Sequence, residues 1–206
     1  MPTALAKAPL PFRVKLRRQT AIVSRWLHLY LSMVSFAVVL FFAVTGLTLN
    51  HAEWFSGQVR ETRYSGTMPA RWLGKTPDET AIVAKLRADH GIKGAVADFR
   101  AEGGQVTVSF KGPGYAADAF IDPEKGTYDL VETRNGLVAV LNDLHKGRDS
   151  GRGWSVVIDV SAVLLTLVSL TGLLLLFFVY KRRTSGLILA TAGAAVCWMV
   201  WMRYVP

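Results

Sequence analysis

Residues 25–50 read RWLHLYLSMVSFAVVLFFAVTGLTLN. No charge falls between Leu31 and Leu49, a run long enough for a hydrocarbon core of roughly 30 Å. His28 stands near the start of this apolar span and His51 closes it. At about 1.5 Å per residue, the 23-residue step from one histidine to the other covers roughly 34 Å, one bilayer. Val160 to Tyr180 is a second apolar stretch, and Leu187 to Met202 a third, shorter one. Imidazole near a bilayer is costly unless something engages it, so boundary histidines are candidate functional residues.

Over half of the 206 residues are apolar (51%) and the mean hydropathy is positive, which suits a membrane protein. The net charge of +9 first suggests a nucleic-acid partner, but its distribution removes that reading. Between His51 and Gly153, 14 basic and 14 acidic residues cancel, as do Arg203 and Asp159. The excess lies in Lys7, Arg13, Lys15, Arg17, Arg18 and Arg25, and in Lys181, Arg182 and Arg183. All of these cations flank spans on one side, the positive-inside pattern. Charge here reports topology, and no nucleic acid is expected.

The expected fold class is therefore a membrane protein with three transmembrane α-helices and an inserted extracytoplasmic α+β domain. Residues 1–20 form a basic cytoplasmic N-terminus, 21–50 the first span and 51–152 the soluble domain. Residues 153–180 form the second span, 181–185 a cytoplasmic loop and 186–203 the third span. Trp198, Trp201 and Tyr204 then fall at the outer interface as an aromatic belt. The first apolar run is too long for a signal-peptide core and no A-x-A-like site follows it before Asn50, so it reads as a retained anchor. Cys197, the one cysteine, reads as a small hydrophobe in the third span.

Within the soluble domain, Thr76-Pro77-Asp78-Glu79 predicts a helix start with Thr76 as N-cap and Glu79 completing a capping box. That helix runs through Leu86 and stops at Gly91, and His90 in its last turn complements the helix dipole. Ala95–Ala101 and Gln105–Phe110 predict one hairpin, and Ala116–Ile121 and Thr127–Glu132 a second. A short helix from Leu137 to Leu144 leads to His145. The expectation is a helix on an antiparallel sheet of about four strands.

The histidines carry the chemistry. Neutral imidazole is the commonest protein ligand for metals and a usual axial ligand of haem iron. The topology places His51 and His145 at the outer boundary, where two histidines from neighbouring helices can bind one haem iron. His28 lies near the cytoplasmic face without a histidine partner at its own level. Lys146, Arg148 and Arg152 can pair with haem propionates. Thr45-Gly46-Leu47 and Thr171-Gly172-Leu173 bring small residues to the span ends. They suit either the close approach of a flat macrocycle or helix packing. Asp159 reads either as a proton-relay group or as a snorkelling partner of Arg152. Gly186, Ala190 and Ala194 read as a packing face.

Arg25-Trp26-Leu27-His28 followed by Thr45-Gly46-Leu47 resembles the first helix of the PepSY-associated transmembrane family. Leu144-His145-Lys146-Gly147, with Gly151 and Thr171-Gly172-Leu173, resembles a later helix of that family. The domain, with Tyr128 after Asp122-Pro123-Glu124-Lys125-Gly126, is similar to a PepSY module. The resemblance covers about residues 20–180 and places His28 and His145 on the family's histidines. Larger inner-membrane members are ferric-siderophore reductases carrying b-type haems between membrane histidines. The resemblance implies a haem b electron-transfer protein of a bacterial inner membrane, reducing ferric iron or a ferric chelate on the periplasmic side.

Ligation is expected from His51 and His145, with His28 a further candidate. One haem per chain, or a second shared between subunits of a homo-oligomer, fits the histidine count. No nucleotide or flavin motif is present, so the electron donor would be a quinol or a redox protein. The alternative is a non-catalytic, membrane-anchored PepSY module that binds a partner or serves a transporter as an accessory subunit. Membrane lipid is a partner on either reading.

Overall fold

The computed structural model describes residues 11–179 and 182–206. Lys7, Tyr180 and Lys181, which figured in the charge and span expectations, lie outside the described residues. In chain order the elements are α1 (Phe12–Asn50), β1 (Arg60–Thr67), α2 (Glu79–His90), β2 (Ala95–Glu102), β3 (Gln105–Gly112), β4 (Tyr115–Asp122), β5 (Thr127–Arg134), α3 (Leu137–Lys146), α4 (Gly151–Leu176) and α5 (Arg183–Tyr204). Short 3-10 helices at Ala52–Gln58 and Ala70–Trp72 flank β1. The chain divides into two compact units, Leu40–Asp159 and the remainder (Met1–Val39 with Val160–Pro206).

Among the described residues three helices are long and apolar enough, by length and composition, to cross a membrane: α1, α4 and α5. α1 begins at Phe12, well before the expected start at Ala21. Arg, Lys, Leu and Gln are good helix formers, and no Gly or Pro interrupts the basic segment, so the helix continues through it. The carbonyl of Pro11 accepts from the amides of Val14 and Lys15 and closes the first turn. Cys197 lies on α5 and is exposed there.

The sheet has five antiparallel strands in the order β1-β5-β4-β3-β2. Both expected hairpins form, β2 with β3 and β4 with β5, and β3 also pairs β4. The addition is β1, which pairs β5 from Arg60↔Arg134 to Thr67↔Thr127. Its sequence RETRYSGT holds one large apolar residue, so neither hydrophobic alternation nor β-branched content announced it. Ile82 and Leu86 of α2, one turn apart, are fully buried against Val106, Val108, Phe110, Ala119, Ile121 and Leu130. Gly91 ends α2 in the left-handed conformation at φ 64°, as its position predicts.

The start of α2 differs from expectation. Asp78, not Thr76, is the N-cap, and its carboxylate accepts from the Ala81 amide at 3.0 Å. Aspartate caps as well as serine and better than threonine. Its negative charge also meets the positive end of the helix dipole.

Candidate functional site: two imidazole seats

In the first unit, His28 on α1 reaches α4. Its Nδ1 lies 3.1 Å from the Val168 carbonyl oxygen and 3.2 Å from Thr171 Oγ1. Thr171 is buried, and its hydroxyl turns back on its own helix, 2.8 Å from the Leu167 carbonyl and 2.9 Å from that of Val168. Gly172 follows. A Cβ there would stand 3.0 Å from Cε1 of His28, so the missing side chain is what admits the ring.

The Leu40–Asp159 unit repeats the arrangement with different elements. His145, in the last turn of α3, places Nδ1 2.6 Å from Thr45 Oγ1 on α1. Thr45 is 2% exposed and donates its hydroxyl to the Phe41 carbonyl at 2.6 Å. Gly46 again lies against the imidazole, 3.7 Å from Cε1 when a Cβ is built on it. The edge of the Phe42 ring packs on His145 with 4.9 Å between centroids. Around this seat, Thr48 donates to Asn142 Oδ1 at 2.7 Å and Trp154 Nε1 donates to the Leu144 carbonyl at 2.7 Å. These contacts tie α3 to the end of α1 and fix the ring's height.

Both seats are thus one constellation, a threonine and a glycine on one helix receiving an imidazole edge from another element. Thr45-Gly46-Leu47 and Thr171-Gly172-Leu173 are visible in the sequence as a repeated tripeptide. That each pairs with a particular histidine is not. In both rings Nε2 has no hydrogen-bond partner among the described residues.

His51 is placed differently. It precedes a 3-10 turn, stacks on Trp54 with 4.1 Å between centroids, and faces Glu53 Oε1 with Nδ1 at 3.4 Å. His51 and His145 share no hydrogen bond, ion pair or ring contact among the described residues. Arg148 and Arg152 are exposed, as is Asp159, and no ion pair joins Asp159 to Arg152. Among the described residues no group of three or more His, Cys, Asp or Glu comes together to hold a metal ion.

The sheet domain holds polar groups that sequence reading missed. His90, expected only to complement a helix dipole, places Nε2 2.8 Å from Tyr128 Oη and tilts against Tyr64. Tyr128 donates to Asp89 at 3.3 Å, and Asp89 in turn pairs with Lys85 at 2.7 Å. Glu132 is buried on the core face of β5, where Tyr64 donates to it at 3.3 Å and Arg134 at 2.8 Å. Burial pushes the Glu132 carboxyl up, but hydrogen bonds from Arg134 and Tyr64, with the Tyr115 hydroxyl nearby, outweigh it and hold the group below its ordinary range. Burial and the adjacent Glu132 carboxylate push Tyr115 up to about 12.

Residues 22–206 match the family described as PepSY_TM-like. Comparison with curated proteins and with solved structures found no match.

Proposed function

Since this chain belongs to the PepSY_TM-like family, we propose that it is a haem b electron-transfer protein of a bacterial inner membrane. One observation carries the reading: His28 and His145 are each tethered through Nδ1 and leave Nε2 without a partner among the described residues. Ligating histidines are characteristically fixed in this way, with the other ring nitrogen held by a neighbouring group. Gly172, whose missing side chain admits the His28 ring, and Gly46, which lies against His145, let each imidazole seat closely on its helix.

His145 would hold haem iron through Nε2, with the exposed Arg148 and Arg152 suited to the propionates, and His28 would hold the iron of a separate haem shared between subunits. Bound there, haem would supply one-electron transfer between the ferric and ferrous states. The chain's own part is to fix ligand orientation with Thr45 and Thr171 and to surround the rings with apolar helix. Arg13, Lys15, Arg17, Arg18, Arg182 and Arg183 are exposed and set that end of the protein in the cytoplasm by the positive-inside rule. The sheet domain then faces the periplasm. Electrons from a quinol or a redox protein would leave there, each reducing one ferric ion, free or chelated, to ferrous iron.

The test is a reduced-minus-oxidised spectrum of the detergent-purified protein expressed with ample haem. The wild type is expected to show a b-type spectrum, and His28→Ala and His145→Ala each to lose haem. Absence of a Soret band in the wild type overturns the reading in favour of a non-catalytic membrane-anchored module.

A further inference from the structure

The hydrogen atoms at the two seats can be counted. A carbonyl oxygen cannot donate, so the hydrogen between Thr45 Oγ1 and the Phe41 carbonyl, 2.6 Å apart, belongs to the threonine. The hydroxyl has one hydrogen and has spent it there. The remaining contact, 2.6 Å from His145 Nδ1 to the same Oγ1, needs a hydrogen supplied by the imidazole. Nδ1 of His145 is therefore the protonated nitrogen.

The second seat gives the same answer by two routes. Thr171 Oγ1 donates to its own helix at Leu167 or Val168, both within 2.9 Å, and is left as an acceptor. His28 Nδ1 also faces the Val168 carbonyl at 3.1 Å, which accepts only. His28, like His145, carries its hydrogen on Nδ1. The neutral histidine side chain in water prefers the opposite tautomer, with the hydrogen on Nε2, so both rings are held against their intrinsic preference.

We propose that Thr45 and Thr171 are positioning residues that lock His145 and His28 in the Nδ1–H tautomer, aiming the Nε2 lone pair of each at an incoming ligand-binding metal. The tautomer assignment stands on hydrogen-bond geometry alone; its use toward iron rests on the haem reading above. A hydroxyl that accepts from Nδ1–H also increases electron donation from Nε2, which favours the ferric state. Serine in place of threonine keeps the oxygen. Valine keeps the shape and removes it.

The experiment is NMR of the haem-free, full-length protein carrying isotope-labelled histidine, comparing wild type, Thr45→Ser and Thr45→Val. The wild type and Thr45→Ser are expected to show His145 with Nδ1 protonated and Nε2 bare, and Thr45→Val to show the hydrogen moved to Nε2. Thr171→Val should release His28 less completely, since the Val168 carbonyl remains. A wild-type His145 with its hydrogen on Nε2, or a tautomer unchanged in Thr45→Val, overturns the proposal. In the haem-loaded protein the midpoint potential should rise in Thr45→Val and stay near wild type in Thr45→Ser. A locked tautomer in a protein that takes up no haem overturns the haem reading and leaves the lock standing.

Discussion

Gly172 faces His28 so closely that an added methyl carbon would stand 3.0 Å from Cε1 of the ring. At the sister seat, the same addition to Gly46 would lie at 3.7 Å from His145, an ordinary contact. Equivalent substitutions therefore have unequal consequences. Gly172→Ala should displace His28 and lose its Nδ1–H signal, while Gly46→Ala keeps the His145 signal. Alanine in place of glycine inside a helix also contributes about 1 kcal/mol, so Gly46→Ala should raise the melting temperature. Histidine NMR with thermal unfolding in detergent checks both; equal retention of the two signals would count against the close packing at Gly172.

The cap of α2 makes a second prediction. Asp78→Ala removes the acceptor for the Ala81 amide and should destabilise the sheet domain by about 1 kcal/mol. Thr76→Ala, outside the helix, should change stability by less than about 0.5 kcal/mol. Denaturant midpoints of the two variants, compared with wild type, rank the two residues.

Glu132 predicts a dependence on pH. Its folded-state pKa lies below the ordinary value because Arg134, Tyr115 and Tyr64 together outweigh burial. A carboxyl depressed in the folded state contributes stability above its unfolded pKa and loses it as pH falls through the folded one. The melting temperature should therefore fall on acidification below about pH 4, near the reference value for glutamate. Glu132→Gln should flatten the profile over that window, and comparing the two proteins cancels the contributions of the other acids.

Tyr128 joins β5 to the end of α2, accepting from His90 and donating to Asp89. Tyr128→Phe should destabilise the domain by about 1 kcal/mol, the worth of an ordinary hydrogen bond. Gly66→Ala should be worse. Its Cβ would meet Tyr128 Oη at 2.5 Å and Cζ at 2.6 Å, so the ring must leave its place. A larger drop in denaturation midpoint for Gly66→Ala than for Tyr128→Phe is the expected order.

Periodicity made the apolar helices and the two hairpins legible, because burial on one or both faces writes itself into residue type. Turn glycines and Gly91 marked ends that the backbone needs. The start of α1 was hidden because helix propensity continues past the point where hydropathy stops. β1 was hidden for the opposite reason: its hydrogen bonds to β5 hold it more than its side chains do. Each histidine and each Thr-Gly pair could be named from the sequence. Their pairing could not, since His145 meets Thr45 across 100 residues and His28 meets Thr171 across 143. Depth along a helix axis gives each histidine its level and says nothing of its lateral neighbours.

β1 and β2 form the two outer strands of the sheet. Each leaves a row of backbone groups without a neighbouring strand, and such rows recruit strands from other chains. β1 carries Arg60, Glu61 and Arg63 on exposed positions, and β2 carries Asp98, Arg100 and Glu102 with a register shift at Val96/Asp98. Copies tethered in one lipid plane collide sideways far more often than free molecules do. A charged, kinked border lets such copies crowd without zipping into fibres, so the composition that concealed β1 also guards the protein against self-aggregation.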